Sequence, residues 1–76
     1  MPREFTYEIK KRLGVLSESA GGDFTVEVNL IAYNGTAPKI DIRKWDRRDG
    51  GEKMLKGVTL TDAEWNALKE LVKTEP

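Results

Sequence analysis

Phe24-Thr25-Val26-Glu27-Val28-Asn29-Leu30-Ile31-Ala32-Tyr33, then Asn34-Gly35, then Lys39-Ile40-Asp41-Ile42-Arg43-Lys44-Trp45 is the stretch that decides the fold. The first ten residues alternate with a two-residue period, the mark of a β-strand whose side chains point to opposite faces in turn. Phe24, Val26, Val28, Leu30 and Ala32 share one face; Thr25, Glu27, Asn29, Ile31 and Tyr33 share the other. Asn-Gly supplies two residues that tolerate positive φ and so marks a turn, while Pro38 limits where the next strand begins. That strand puts Ile40 and Ile42 on one face and Lys39, Asp41, Arg43 and Trp45 on the other.

Working outward, Phe5, Tyr7, Ile9, Leu13 and Val15 fall at odd positions and predict a preceding strand, with Gly14 as a bulge. Residues 17–23 have loop composition. On the other side, Arg47-Arg48-Asp49-Gly50-Gly51 predicts a turn and residues 53–60 a fourth strand, with Met54, Val58 and Leu60 in phase and Gly57 at a bulge or close approach. Thr61-Asp62-Ala63-Glu64 has the spacing of a capping box, Leu60 and Trp65 that of a hydrophobic staple, and Trp65, Leu68, Leu71 and Val72 form an apolar helical stripe. The expectation is a single α+β domain over residues 1–76, four antiparallel strands followed by one C-terminal helix.

Composition narrows the function. The 76 residues contain no Cys and no His, which removes disulfides, thiolate zinc sites and the imidazole of common catalytic triads. No phosphate-binding glycine loop and no calcium loop occurs, so no cofactor or metal is implied and an enzyme is not expected. The acidic residues Asp41, Asp46, Asp49 and Glu52 are interleaved with Lys39, Arg43, Lys44, Arg47, Arg48 and Lys53, which reads as paired surface charge rather than a metal or acid–base site. No run approaches the roughly 20 apolar residues of a membrane helix, and the N-terminus is too charged for a signal peptide, so a cytoplasmic location, with nucleoid association open, is expected. A chain this short buries only about 60 % of its unfolded surface, which favours self-association.

Lys+Arg and Asp+Glu are balanced at 13 each, but unevenly spread: residues 1–30 hold four basic and five acidic groups, residues 31–58 seven and four, residues 59–76 two and four. If Val26, Val28, Leu30, Ile40 and Ile42 face the core, then Tyr33, Lys39, Arg43 and Trp45 form an outward aromatic and basic face. That mixture suits single-stranded nucleic acid, since cations track phosphates and any base stacks on a ring. Cross-strand packing of Tyr33 against Trp45 is the competing reading, and spacing leaves it open. Lys10, Lys11 and Arg12 read either as a solvated edge or as phosphate contacts, as do Arg47 and Arg48 in their turn. The helix stripe is core or dimer interface.

The run Tyr33-Asn34-Gly35, Pro38-Lys39-Ile40-Asp41-Ile42-Arg43 and Lys56-Gly57-Val58-Thr59-Leu60-Thr61-x-x-Glu64-Trp65 resembles the transcriptional positive cofactor four family of single-stranded DNA-binding domains. It is most similar to the short bacterial YdbC-type members, which share an opening like Tyr7-Glu8-Ile9 and Leu13-Gly14-Val15-Leu16-Ser17. The resemblance implies a curved sheet, a homodimer paired through the helices, and channels for single-stranded DNA. It gives Tyr33 the place of a stacking aromatic, and Arg43, Lys56 and Lys39 the places of basic contacts. Two departures stand out: Trp45 is followed by Asp46 where eukaryotic members have a second aromatic, and Leu55 replaces a basic residue, for which Lys53, Arg47 or Arg48 compensates.

The reading is thus a sequence-tolerant single-stranded DNA-binding protein, a transcriptional coactivator or regulator with roles in replication or repair. Its expected DNA-contacting residues are Tyr33, Lys39, Arg43, Trp45, Lys53, Lys56, Arg47, Arg48, Lys10 and Arg12, and its dimer contacts Trp65, Leu68, Leu71 and Val72. Partners expected are single-stranded DNA, a second copy, and transcription or replication machinery. The alternatives are single-stranded RNA binding with chaperone activity, and a protein-interaction module.

Overall fold

The computed structural model describes residues 6–74. Strands β1 (Tyr7–Glu18), β2 (Phe24–Tyr33), β3 (Lys39–Asp46) and β4 (Lys53–Leu60) form one antiparallel sheet in chain order, and helix α1 (Asp62–Thr74) follows. The ββββα architecture is the expected one. Asn34 and Gly35 both take positive φ, 48° and 78°, and Thr36 N–H donates to the Tyr33 carbonyl at 2.9 Å, closing the turn that Asn-Gly favours. The Asn34 side chain also accepts from Thr6 N–H at 2.9 Å, tying the turn to the start of β1.

Simple alternation fails in β1. Its pairing with β2 slips three times, between Ile9 and Lys11, Arg12 and Gly14, and Val15 and Ser17. Lys10, Leu13 and Leu16 are left opposite nothing. Each extra residue reverses which face the following side chains occupy and increases the local bend and twist. Directly paired residues share a face, so Tyr7, Ile9, Arg12, Val15 and Glu18 lie with Tyr33, Ile31, Asn29, Glu27 and Thr25. The expected grouping of Leu13 with Tyr7, Ile9 and Val15 is therefore corrected, and Phe5 lies outside the described residues. Gly14 does stand beside a bulge, as expected. In β4 a further slip between Arg43 and Trp45 sets Met54 opposite Trp45, while Val58 and Leu60 pair with Ile42 and Ile40; Met54 is thus out of phase with the other two.

The two sheet faces close differently. On the helix face, Leu16, Val28 and Ile42 with Trp65, Leu68 and Val72 of α1 line an open apolar cleft of about 240 Å³. Thr61 and Glu64 form the capping box, with Thr61 N–H donating to Glu64 Oε1 at 2.8 Å and Glu64 N–H to Thr61 Oγ1 at 3.1 Å. Yet no residue of α1 is buried, and Leu71 and Val72 are 63 % and 62 % exposed. Phe24, Val26 and Leu30 are only half-buried. The better-buried inward groups lie largely on the opposite face: Thr25, Glu27, Asn29, Ile31, Asp41 and Trp45 are all buried. The face expected to point outward is the more enclosed one, because one short helix leaves much of the helix face open while long arginines close over the other.

The molecule is thin, with extents of 44 × 35 × 18 Å and a radius of gyration of 14.0 Å. A globular chain of this length has about 11 Å. Gly57 shows how tightly the inner strands fit: a Cβ there would lie 2.6 Å from both the Arg43 Cβ and the Ile42 carbonyl oxygen. Gly57→Ala is expected to lower stability by about 1–3 kcal/mol, read from the urea midpoint, because backbone and not a flexible side-chain end must give way.

Candidate nucleic-acid interface

Two carboxylates anchor the enclosed face. Asp41, on the inner strand β3, is fully buried and accepts four hydrogen bonds. Arg43 donates through Nε at 2.9 Å and Nη2 at 2.8 Å, Tyr33 Oη at 2.5 Å, and Thr59 Oγ1 at 3.0 Å. Arg43 Nη1 also donates to the Leu55 carbonyl at 2.8 Å, beside the β4 slip. Residues two apart on a strand point the same way, so the spacing Asp41-x-Arg43 makes this bidentate pair possible, with Tyr33 reaching in from β2.

The second carboxylate, Glu27, is 5 % exposed on β2. Thr25 Oγ1 donates to it at 2.5 Å, Asn29 Nδ2 at 3.4 Å, and Arg47 through Nε at 3.1 Å and Nη2 at 2.8 Å, while Arg12 Nη1 lies 3.6 Å away. Arg47 continues to Glu52 at 3.2 Å, and Glu52 also accepts from Arg12 Nη2 at 3.0 Å and Tyr7 Oη at 2.8 Å. This ionic lid covers Trp45: the Arg47 guanidinium lies 5.1 Å and the Tyr7 ring 5.9 Å from the indole ring centre. Trp45 is 0 % exposed, and its Nε1–H has no hydrogen-bond partner among the described residues.

Charges here shift as the contacts dictate. Burial pushes Glu27 up, but hydrogen bonds from Thr25, Arg47 and Asn29 outweigh it and hold the carboxyl below 4.5. Hydrogen bonds from Tyr7 and Arg12 lower Glu52. Burial and the hydrogen bond to Asp41 raise the Tyr33 phenol, so it stays a donor at neutral pH. Asp46 is held at about 2 by Arg48, whose side chain donates to both carboxylate oxygens and whose backbone N–H donates at 3.0 Å.

Several expected contact residues therefore stand differently from the sequence reading. Trp45 is a buried ring under an arginine, not an open platform, and its aromatic neighbour is Tyr7. Arg43 is 16 % exposed and committed to Asp41. Arg12 and Arg47 serve the lid, Arg48 pairs with Asp46 and lies 5.3 Å from the Phe24 ring centre, and Lys10 pairs with Glu8 at 3.0 Å. Tyr33 is half-buried. Lys39, Lys53 and Lys56 are exposed, at the start of β3, the start of β4 and within β4. Of the carboxylates read as surface charge, Asp41 is buried in the centre of the sheet and Asp46 is buried at the end of β3. Tyr7, Glu27, Asn29 and Glu52 join the site only in the folded structure; the alternating polar triplet Thr25, Glu27, Asn29 inside an inner strand is the one signal of them in the sequence.

Residues 23–71, which span β2, β3, β4 and all but the end of α1, match the family model for Transcriptional Coactivator p15 (PC4). An uncharacterized protein of Treponema pallidum (strain Nichols) is 42 % identical over 71 residues, covering 93 % of this chain and 80 % of that protein. The chain belongs to the p15 (PC4) coactivator family. The family match includes Asp41, Arg43, Glu27, Trp45, Arg47 and Glu52, whereas the lid residues Tyr7 and Arg12 come from β1, outside the matched span.

Two outcomes follow from the carboxylates. Asp41→Ala strands the Arg43 guanidinium and is expected to cost about 3–5 kcal/mol, measured by urea denaturation. Since Glu27, Glu52 and Asp46 are lowered in the folded state, the stability they contribute is complete above their ordinary values of 4.5 and 3.8 and is lost as pH falls through the folded values, toward 2 for Asp46. The urea midpoint should hold level from neutral pH to about 5 and decline below about 4.

Proposed function

We propose that this p15 (PC4) family member is a homodimeric, sequence-tolerant single-stranded DNA-binding protein that acts without enzymatic activity in transcription, with replication and repair as further settings. The observation that carries the reading is one sheet face on which the half-buried rings of Tyr7 and Tyr33 stand with the guanidinium groups of Arg12, Arg43 and Arg47, and on which Lys39 is exposed. Such a face combines phosphate attraction with base stacking. The p15 family name, transcriptional coactivator, gives that chemistry a setting.

Dimerisation is argued from surface. Leu16, Val58, Leu71 and Val72 are each more than half exposed, and α1 buries none of its residues in one copy. Pairing through the helices about a two-fold axis covers the stripe of Trp65, Leu68, Leu71 and Val72 on both subunits at once.

Fluorescence anisotropy with an oligo-dT at several salt concentrations tests the reading: affinity should fall as salt rises, and no binding at low salt would reject it. If Lys56 neutralises one phosphate, Lys56→Ala should reduce the slope of log affinity against log salt by about 0.7. Sedimentation should give a dimer at micromolar concentration and a monomer for Leu71→Glu; a wild-type monomer would remove the dimer from the proposal.

A further inference from the structure

Resting on that nucleic-acid reading, we propose that Tyr7, Arg12 and Arg47 form a phosphate seat which Glu52 occupies in the free protein, so that Glu52 is a built-in competitor of the nucleic acid. The carboxylate of Glu52 is met by three donors from separate parts of the chain: Tyr7 Oη at 2.8 Å, Arg12 Nη2 at 3.0 Å and Arg47 Nη1 at 3.2 Å. Arg47 does not depend on Glu52 for its position, and Arg12 has a second, longer ion pair besides its hydrogen bond to Glu52. Arg47 is held from behind by Glu27 through Nε and Nη2, and the other amino group of Arg12, Nη1, lies 3.6 Å from the same carboxylate. Each guanidinium thus has one side on the buried Glu27 and the other on Glu52.

The two acids are not equivalent. Glu27 sits within an inner strand and its side chain is 7 % exposed, whereas the Glu52 side chain is 36 % exposed in the connection just before β4. Gly51 before it is fixed by its N–H donating to the Arg48 carbonyl at 2.9 Å, so it is the part-exposed side chain of Glu52, turning about its own bonds, that leaves the seat while Glu27 stays. A non-bridging phosphate oxygen pair presents the same charge and the same acceptor geometry to a guanidinium as a carboxylate. Beside the seat, a cavity of about 370 Å³ lined by Arg12, Val15, Asn29, Arg47 and the arginine-paired Glu27 gives an incoming strand room without opening the core. Withdrawal of Glu52 also releases Tyr7 and one side of Arg47, the two groups that cover Trp45.

The test compares wild type with Glu52→Gln, and with Asp49→Asn as a control that removes one negative charge from the same turn outside the seat. Oligo-dT should bind Glu52→Gln roughly three- to tenfold more tightly than Asp49→Asn. Adding Arg12→Gln to Glu52→Gln should cancel that gain. Inorganic pyrophosphate, followed through the Nε–H resonances of Arg12 and Arg47, should shift them in Glu52→Gln at lower concentration than in wild type. Wild-type binding of oligo-dT with no advantage of Glu52→Gln over Asp49→Asn would overturn the seat. If no variant binds oligo-dT, the nucleic-acid reading falls, and the pyrophosphate titration still decides the seat: selective shifts in Glu52→Gln support it, and their absence rejects it.

Discussion

A carboxylate removed from water must be met by donors, and the enclosed face of this sheet carries two of them, Asp41 and Glu27, on its inner strands. Much of the enclosed face follows from that requirement. Asp41 draws in Arg43, Tyr33 and Thr59 from three strands. Glu27 draws in Arg47, which then lies across Trp45 and links to Glu52, Arg12 and Tyr7. A surface that composition marks as basic and aromatic is thereby folded in on itself. Its arginines are oriented in advance and its indole is shielded.

The same arrangement bears on how the protein can recognise a ligand. Guanidinium groups already held by carboxylates lose little freedom when a phosphate replaces one of those partners, because their positions are set beforehand. Overall neutrality has a matching consequence: long-range attraction to any polyanion is weak. The helix face differs in kind. It is apolar, open and only lightly covered by α1, which suits association with a similar surface rather than with a charged ligand.

Much of the architecture was legible from local signals. The alternation from Phe24 to Tyr33, the Asn34-Gly35 turn and the Thr61-to-Glu64 capping box each act within a few residues, and each appears where the residue types place it. The pairing of Asp41 with Arg43 is likewise a matter of two residues on one face of one strand. What escaped was β1, where three bulges convert a two-residue period into nearly a three-residue one, because a bulge is defined by what the neighbouring strand offers. Had alternation held, Arg12 would point away from Glu27 and Glu52.

The sequence by itself determined the order of strands and helix, the Asn34-Gly35 turn and the concentration of positive charge between residues 31 and 58, since these depend on backbone preference and composition. Only the tertiary structure decided that Trp45 is covered, that Arg47 reaches back across the sheet to Glu27, and that Glu52 stands among Tyr7, Arg12 and Arg47. Arg47 lies 20 residues from Glu27, and Glu52 lies 40 from Arg12 and 45 from Tyr7. No periodicity encodes such meetings. They arise when strand register and bulges bring long side chains to one place, where buried charge permits few other arrangements.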